Sequence, residues 1–215
     1  MFSKVLSVVG LLAAVMFGPA MAETLTYTPS LPTGYEALEY VESDGTQTMN
    51  TGYTPRKNDC VWLKAMPKAT DTTYFCARGN NGGYYELIML PARTLRFDSY
   101  DGTSGRTFTT TRQQSINMVY TMTCDFQYGN VYVDGEKWVS GQMANPGSGS
   151  TPSHLWLFAL LDAAAAPDTI KSRMSLRYYA FKVWHNNGYL TLDLVPCRET
   201  ATSAVGFYDR VGGKK

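Results

Sequence analysis

The sequence has few of the residues from which catalytic and metal sites are most often built. Histidine occurs only at His154 and His185, and neither belongs to an Asp/Ser or Cys/His arrangement in its sequence neighbourhood. The chain contains no His-x-x-x-His, Cys-x-x-Cys or EF-hand motif. These absences weigh against nucleophilic catalysis and against a resident metal cofactor.

The chain also lacks an excess of charge of either sign. The formal net charge is +1 at pH 7, with 19 Lys and Arg against 18 Asp and Glu, and no run of basic residues concentrates it. Such a chain produces no long-range field that attracts a polyanion. We therefore expect no nucleic-acid partner.

Long apolar runs are absent except at the N-terminus. Met1–Lys4 is a short charged segment, Val5–Phe17 is apolar, and Ala20–Ala22 has the pattern of a signal-peptidase site. The alternative is a membrane anchor, but the run is shorter than the ~20 residues that a span requires. We predict a signal peptide over 1–22, an extension over 23–30 and one domain over 31–215, so that the mature protein is secreted, periplasmic or on the cell surface.

The rest of the chain has the pattern of an all-β protein. Apolar and polar residues alternate with period two in many segments bounded by turn residues, and Asp134-Gly135 predicts a tight hairpin within 130–139. The fold expected is an antiparallel two-sheet sandwich. Further strands are predicted over 60–66, 73–78, 84–90, 94–98, 117–126, 155–160, 174–184, 189–195 and 205–208.

The chain has four cysteines, at 60, 76, 124 and 197, and export from the cell would allow them to form a disulfide. Alternation places Cys60 and Cys76 on the outer face of their strands. A hairpin turning near Lys68 would set them opposite each other, at a distance that a disulfide spans after modest adjustment. We therefore predict a Cys60–Cys76 disulfide. Cys124 has inward parity and Cys197 outward parity, so both are expected as buried or partly buried free thiols.

The segment 31–53, LPTGYEALEYVESDGTQTMNTGY, resembles the opening of bacterial and phage LamG-like modules, written there roughly as LPxGYxxLEYIESxGTQYIDTGY. Residues 174–184 and the pair of segments 192–198 and 205–209 resemble the closing strands of the same family. The resemblance implies a concanavalin A-like jelly-roll used as a recognition module in surface or secreted proteins. It carries no agreed ligand site, because the matching motifs are typical of framework residues.

Some enzymes with this fold are glucanases, which carry two or three carboxylates on one strand face. The nearest run here has Glu36, Glu39 and Glu42, whose spacing of three alternates faces on a strand and lacks the central Asp. Solvent-exposed roles are favoured for these residues, and a glycoside hydrolase is a distant alternative.

Recognition is the favoured function, and the predicted site lies in two loops. Asn80 and Asn81 precede Tyr84 and Tyr85, and Tyr100 precedes Asp101, so amides and carboxylates that bond hydroxyls lie beside rings that stack on sugars. The alternative is an ordinary mobile turn beside strand tyrosines.

No cofactor is predicted. Calcium bound by Asp98, Asp101 and Asn80 stays an open alternative, although turn-stabilising roles are favoured for these side chains. The predicted partner is a glycan, and a surface protein bound by an adhesive module is the alternative.

Overall fold

A computed structural model of the chain describes residues 31–78, 84–100, 105–140, 153–162, 168–185 and 188–213. The predicted signal peptide at 1–22 and the extension at 23–30 lie outside these ranges. Residues 31–215 cluster as one compact unit. The described part of the chain consists of strands, turns and irregular segments, and within it no helix is long and apolar enough to cross a bilayer.

The described residues include seventeen strands. They are β1 Tyr35–Ala37, β2 Val41–Asp44, β3 Met49–Asn50, β4 Asp59–Pro67, β5 Thr72–Ala77, β6 Tyr84–Met89, β7 Thr94–Tyr100, β8 Gly105–Gln113, β9 Tyr120–Asp125, β10 Asn130–Val133, β11 Glu136–Val139, β12 Trp156–Leu157, β13 Ala159–Leu161, β14 Ile170–Arg173, β15 Ser175–His185, β16 Tyr189–Glu199 and β17 Val205–Asp209.

The strands form two large antiparallel sheets. The nine-stranded sheet has the order β1-β16-β15-β4-β9-β10-β11, with β17 added beside β16 and β2 beside β15. The six-stranded sheet has the order β3-β12-β5-β6-β7-β8, and β13 and β14 form a separate two-stranded sheet. The predicted all-β sandwich is confirmed.

The core lies between the inner faces of the two large sheets. Phe126, at the end of β9, is fully buried and contacts three rings of the six-stranded sheet. Its centroid lies 4.4 Å from Tyr85, 5.6 Å from Phe97 and 5.9 Å from Phe75. Aromatic side chains of this size dominate core energetics, so Phe126 joins the sheets at this end of the sandwich.

The hairpin predicted within 130–139 is confirmed. Asp134 and Gly135 both have positive φ, 49° and 81°, which the tight turn between β10 and β11 requires. The strand β11 lies at one edge of its sheet and meets β8, the edge strand of the other sheet. There Arg112 pairs with Glu136 and lies over the Trp138 ring at 5.7 Å, so a charged seam closes this side of the sandwich.

The predicted Cys60–Cys76 disulfide is wrong. The strands β4 and β5 do not form a hairpin, because the chain passes from the nine-stranded to the six-stranded sheet between them. Cys60 lies opposite Trp184 and Asp125, while Cys76 lies opposite Glu86 and Trp156. Both thiols are free. Val61 and Phe75 are buried, as the outward parity of their neighbours Cys60 and Cys76 implies, but they do not lie opposite each other.

The other two cysteines are free and buried, as predicted. Cys124 belongs to the sandwich core. Burial raises the pKa of the Cys124 thiol well above its ordinary value, because a thiolate has no water there.

The last residues of the LamG-like opening lead into a buried polar network at Asp59. The Tyr53 hydroxyl and the Arg56 backbone N–H both donate to Asp59 Oδ2 at 2.7 Å, and His185 Nδ1 lies 2.8 Å from Oδ1. Asp59 is 1% exposed. Burial raises the pKa of Tyr53 above its ordinary value, and the Asp59 charge raises it further. This network ties the segment before β4 to the end of β15, which supports a framework role for Tyr53.

Candidate functional site

Three side chains form a line across the middle of the six-stranded sheet, on the face that points away from the core. Alternation turns Phe75, Leu87 and Phe97 inward, so their neighbours Cys76, Glu86 and Asp98 point outward. The strand register places Glu86 opposite both Cys76 and Asp98. These three residues, called the carboxyl row below, are at most 5% exposed, and the Leu161 backbone of β13 hydrogen-bonds Cys76.

Two arginines flank the carboxyl row. Arg78 Nη1 donates to Glu86 Oε2 at 3.1 Å, and the Cys76 thiol donates to the same oxygen at 3.6 Å. Arg96 Nε lies 2.8 Å from Asp98 Oδ2, and its Nη2 lies 3.6 Å from Glu86 Oε1. The two guanidinium groups are partly exposed, so they connect a buried acidic pair to the surface.

Two buried oxygens of the carboxyl row lack hydrogen-bond donors in the described part of the chain. Glu86 Oε1 and Asp98 Oδ1 are buried and accept no hydrogen bond from the described residues. Burial raises the pKa of Glu86 to about 7, and Arg78 opposes this shift while the hydrogen-bonded Asp98 carboxylate adds to it. A protonated Glu86 can donate to Asp98, which two ionised carboxylates cannot do for each other.

This arrangement makes stability depend on pH between about 4.5 and 7. The folded protein keeps the Glu86 proton to a higher pH than the unfolded chain, whose glutamates have a pKa near 4.5. The contribution of Glu86 is fully present below that value and is lost as pH rises through about 7, by about 3 kcal/mol. Urea unfolding at pH 5, 6, 7 and 8 measures it.

The matched variant is Glu86→Gln, whose amide donates to Asp98 at every pH. Its unfolding free energy should lose the part of the pH slope that belongs to Glu86, while the contributions of Asp59 and Asp125 stay in both proteins. Equal slopes for wild type and variant over this range would show that Glu86 is ionised in the folded protein at neutral pH.

The line of the carboxyl row continues onto β12 and β3 with a second group of polar residues. Trp156 lies opposite Cys76 on one side and Asn50 on the other. The Trp156 indole N–H donates to Asp168 Oδ1 at 2.8 Å, and the His154 backbone N–H donates to the same oxygen at 3.0 Å. Asn50, His154, Trp156 and Asp168 are called the Trp156 cluster below.

The tautomer of His154 follows from its partner. His154 Nδ1 lies 2.8 Å from Asp168 Oδ2, so this nitrogen carries the proton and donates it to the carboxylate. The contact of 3.4 Å between Nδ1 and the Asn50 amide nitrogen is therefore not a hydrogen bond. Within the described residues, Nε2 of this partly exposed ring and the Asn50 amide N–H groups have no other hydrogen-bond partner.

A cleft lies beside the cluster. It has a volume of about 290 Å³ and is lined by backbone and side chains of 49–52 together with Leu194, Phe207 and Asp209. This is near the lower end of the volumes of small-molecule sites. Asn50 belongs to both the cleft and the Trp156 cluster, and its Oδ1 is fixed by the Gly52 N–H at 2.8 Å.

The two loops predicted to bind a ligand belong to one end of the six-stranded sheet. Ala77 pairs with Tyr85, and Tyr84 pairs with Tyr100, so the β5–β6 and β7–β8 connections leave the sheet on the same side. Asn80, Asn81 and Asp101 lie outside the described residues, and only the backbones of Tyr84 and Tyr100 are described.

The inclusion of Tyr85 in that site is contradicted by its burial. Tyr85 is 3% exposed, and its ring stacks on Phe126 with an interplanar angle of 9°. Its parity is that of Leu87, inward, because both lie on the core face of β6. A ring in this position packs the core and does not meet a ligand.

The glutamates compared with a glucanase strand lie on different elements. Glu36 is on β1 and pairs with Arg198, whereas Glu42 is on β2 and pairs with Arg177. Glu39 lies between these strands and is exposed. The three carboxylates thus do not share one strand face.

Glu86 and Asp98 do not form a hydrolytic pair either. The two carboxyl groups are in hydrogen-bonding contact, whereas glycosidases separate theirs by about 5 Å or more.

Among the described residues no group of three or more His, Cys, Asp and Glu side chains is arranged to hold a metal ion. Of the residues considered for calcium, Asp98 pairs with Arg96. Asp101 and Asn80 are outside the described ranges.

No protein-family model matches the sequence, and no curated protein matches it either. Several solved structures do. Domains LG4-5 of the mouse laminin alpha1 chain align with a TM-score of 0.52 at 15% identity, over 87% of this chain and 50% of theirs. The fold is that of the concanavalin A-like jelly rolls. The match spans half the length of that LG4-5 chain.

Two other solved structures match more weakly. The galectin LEC-6 of Caenorhabditis elegans aligns with a TM-score of 0.41 at 14% identity, over 68% of this chain and 96% of that one. The CBM40 of the Ruminococcus gnavus IT-sialidase, bound to alpha2,3 sialyllactose, aligns with a TM-score of 0.45 at 10% identity, over 66% and 89%.

Neither the Trp156 cluster nor the carboxyl row forms a sequence motif. His154 and its partner Asp168 are 14 residues apart, and Asn50 lies in the framework-like segment 31–53. The alternation around Glu86 and Asp98 signals two outward carboxylates. Only the strand register, which alternation does not give, makes them neighbours.

Proposed function

We propose that the protein is an exported, non-catalytic recognition module that binds a glycan on the outer face of its six-stranded sheet. The observation that supports this most directly is the Trp156 cluster beside the cleft. A half-buried indole is fixed by Asp168. Next to it, the Asn50 amide N–H groups and His154 Nε2 have no other partner among the described residues, so they can bond hydroxyl groups. A ring that packs on sugar carbons beside amide and imidazole groups is a common arrangement in sites for polar ligands.

The predicted loop residues extend this proposal to the end of the same sheet. Tyr84 and Tyr100 are paired strand residues at the end of the sheet from which the connections containing Asn80, Asn81 and Asp101 leave. In this proposal they contact the parts of the glycan that extend beyond the cleft. Export from the cell, through the signal peptide over 1–22, gives the protein access to glycans at the cell surface or outside the cell.

A glycan array followed by calorimetry tests the proposal. Trp156→Leu is expected to weaken binding of the array hit at least tenfold, because the packing ring and the group that orders Asp168 are both lost. The matched control is Trp184→Leu, a half-buried tryptophan on the nine-stranded sheet, which should leave affinity within about twofold. Tyr84→Ala tests the loop end in the same assay.

The proposal would be abandoned if no glycan is bound, or if both tryptophan variants lose affinity equally. Binding that is lost only with Tyr84→Ala would move the site to the loops.

A protein-binding module is the second candidate function, supported by one surface feature. The β8–β9 connection exposes three apolar side chains, Ile116, Met118 and Val119, which are 40%, 54% and 39% exposed. The Asn117 backbone N–H donates to Pro67 O at 2.8 Å, which holds this connection against β4. A flat glycan array together with a protein partner lost on Met118→Ser would favour this candidate.

A further inference from the structure

The outer face of the nine-stranded sheet combines lysines and aromatic rings. A line of directly opposed residues crosses five neighbouring strands, namely Lys182 on β15, Trp62 on β4, Thr123 on β9, Tyr132 on β10 and Lys137 on β11. With strands about 4.8 Å apart, this line is about 19 Å long. Lys64 lies beside it on β4, opposite Thr121.

Each of these lysines lies near an aromatic ring. The Nζ atoms of Lys182, Lys137 and Lys64 are 5.5, 5.3 and 5.9 Å from the ring centroids of Trp62, Tyr132 and Tyr179. The rings are half-buried, and Lys64 and Lys137 are exposed. These three lysines and three rings, together with Thr123, are called the basic face below.

The basic face has cations without carboxylate partners. Within the described part of the chain, none of its three ammonium groups forms an ion pair. The nearby acids have other partners, since Glu42 binds Arg177 and Asp193 binds Arg210.

Two further aspartates near the basic face accept backbone hydrogen bonds. Asp125 accepts the N–H groups of Gln127 and Tyr128, and Asp134 accepts the N–H of Thr121. The Lys137 charge lies near Asp125 without pairing with it.

We propose that the basic face binds an anionic polysaccharide, with its sulfate or carboxylate groups on Lys64, Lys137 and Lys182. Sugar rings pack beside Trp62 and Tyr132, and the Thr123 hydroxyl between these rings bonds sugar hydroxyls. This is a second binding surface, on the side of the sandwich opposite the Trp156 cluster, and it takes a different class of ligand.

The arrangement fits a sugar acid better than a nucleic acid. Three lysines neutralise few phosphates, and the affinity of proteins for nucleic acids depends mainly on the number of such contacts. Each aromatic ring here has a lysine ammonium group beside it. This suits a sugar unit whose sulfate or carboxylate group is attached to the sugar ring itself. A base stack needs open ring faces along its whole length.

Heparin, polygalacturonate and neutral dextran are the probes. The test variant is the triple substitution Lys64→Gln, Lys137→Gln and Lys182→Gln. The matched control, Arg106→Gln, Lys171→Gln and Arg173→Gln, removes the same charge from exposed positions outside the nine-stranded sheet. Circular dichroism checks that both triple variants keep the fold.

Wild type and control should bind heparin or polygalacturonate equally, and the test variant at least tenfold more weakly. The slope of log Kd against log salt should fall by about two to three for three lost contacts. A Trp62→Thr variant should lose the fluorescence change seen on titration of wild type.

Three results would overturn the proposal. These are no binding of either polyanion at low salt, equal weakening in both triple variants, and tighter binding of oligothymidylate or of phosphatidylserine vesicles than of the polysaccharides. Binding of a neutral array glycan by the test variant at wild-type affinity separates this surface from the Trp156 cluster.

Discussion

Replacing Asp59 with alanine is expected to lower the free energy of unfolding by about 3–5 kcal/mol. The substitution leaves three groups without an acceptor in a buried site, namely the Tyr53 hydroxyl, the Arg56 backbone N–H and His185 Nδ1. Each unsatisfied buried donor costs about 1–3 kcal/mol. The loss should be measured by urea denaturation at pH 7, followed by tryptophan fluorescence.

Two controls separate this network from a general effect of losing a carboxylate. Tyr53→Phe removes one donor and leaves the other two paired, so a loss of about 1 kcal/mol is expected. Glu39→Ala removes an exposed carboxylate and should change stability by less than about 0.5 kcal/mol. If Asp59→Ala is no more destabilising than Tyr53→Phe, the network does not hold the segment before β4.

Phe126→Ala is expected to destabilise the protein by about 3–5 kcal/mol as well. Phe126 is fully buried and contacts Tyr85, Phe97 and Phe75, all from the opposite sheet. Removing the ring leaves a cavity that the two sheets can close only by moving together, so relaxation is limited. Urea denaturation gives the free energy, and near-ultraviolet circular dichroism should show the loss of aromatic packing.

The control for this substitution lies two residues further along the same turn. Tyr128 is 53% exposed, so Tyr128→Ala should cost less than about 1 kcal/mol. Comparable losses for the two variants would mean that the turn itself, and not the ring contacts between the sheets, limits stability at this end.

The fold was predictable because period-two alternation and turn chemistry are local properties. The positive φ angles at Asp134 and Gly135 occur where the Asp-Gly pair requires them, and the inward residues of β4, such as Val61, follow from alternation alone. These properties fix where strands lie and which face each residue takes. They do not depend on which strands become neighbours.

Strand partners were not predictable by the same means. The segment at Lys68 has the appearance of a hairpin turn, yet there the chain crosses to the other sheet, because each sheet of a sandwich collects strands from distant parts of the sequence. The disulfide prediction assumed local pairing and was wrong for that reason. The prediction that Tyr85 binds a ligand was wrong for another reason. The sequence beside a loop does not show whether a tyrosine ring faces solvent or the core.

The candidate sites also depend on strand order. The basic face is not a run of basic residues in the sequence, because Lys64, Lys137 and Lys182 belong to three strands separated along the chain. Likewise Glu86 and Asp98 become a pair only when β6 and β7 align. Composition identified the residue types, and register alone assembles them.

The seam between β8 and β11 has a consequence for self-association. Sheet edges are the places where a second copy of a chain adds a strand and where aggregation begins. Here Arg112, Glu136 and Trp138 occupy the line where the two edges meet, so an incoming strand would first have to break an ion pair and a cation–π contact. Intermolecular strand addition is therefore disfavoured on this side, and the outer faces of the two sheets stay available to other molecules.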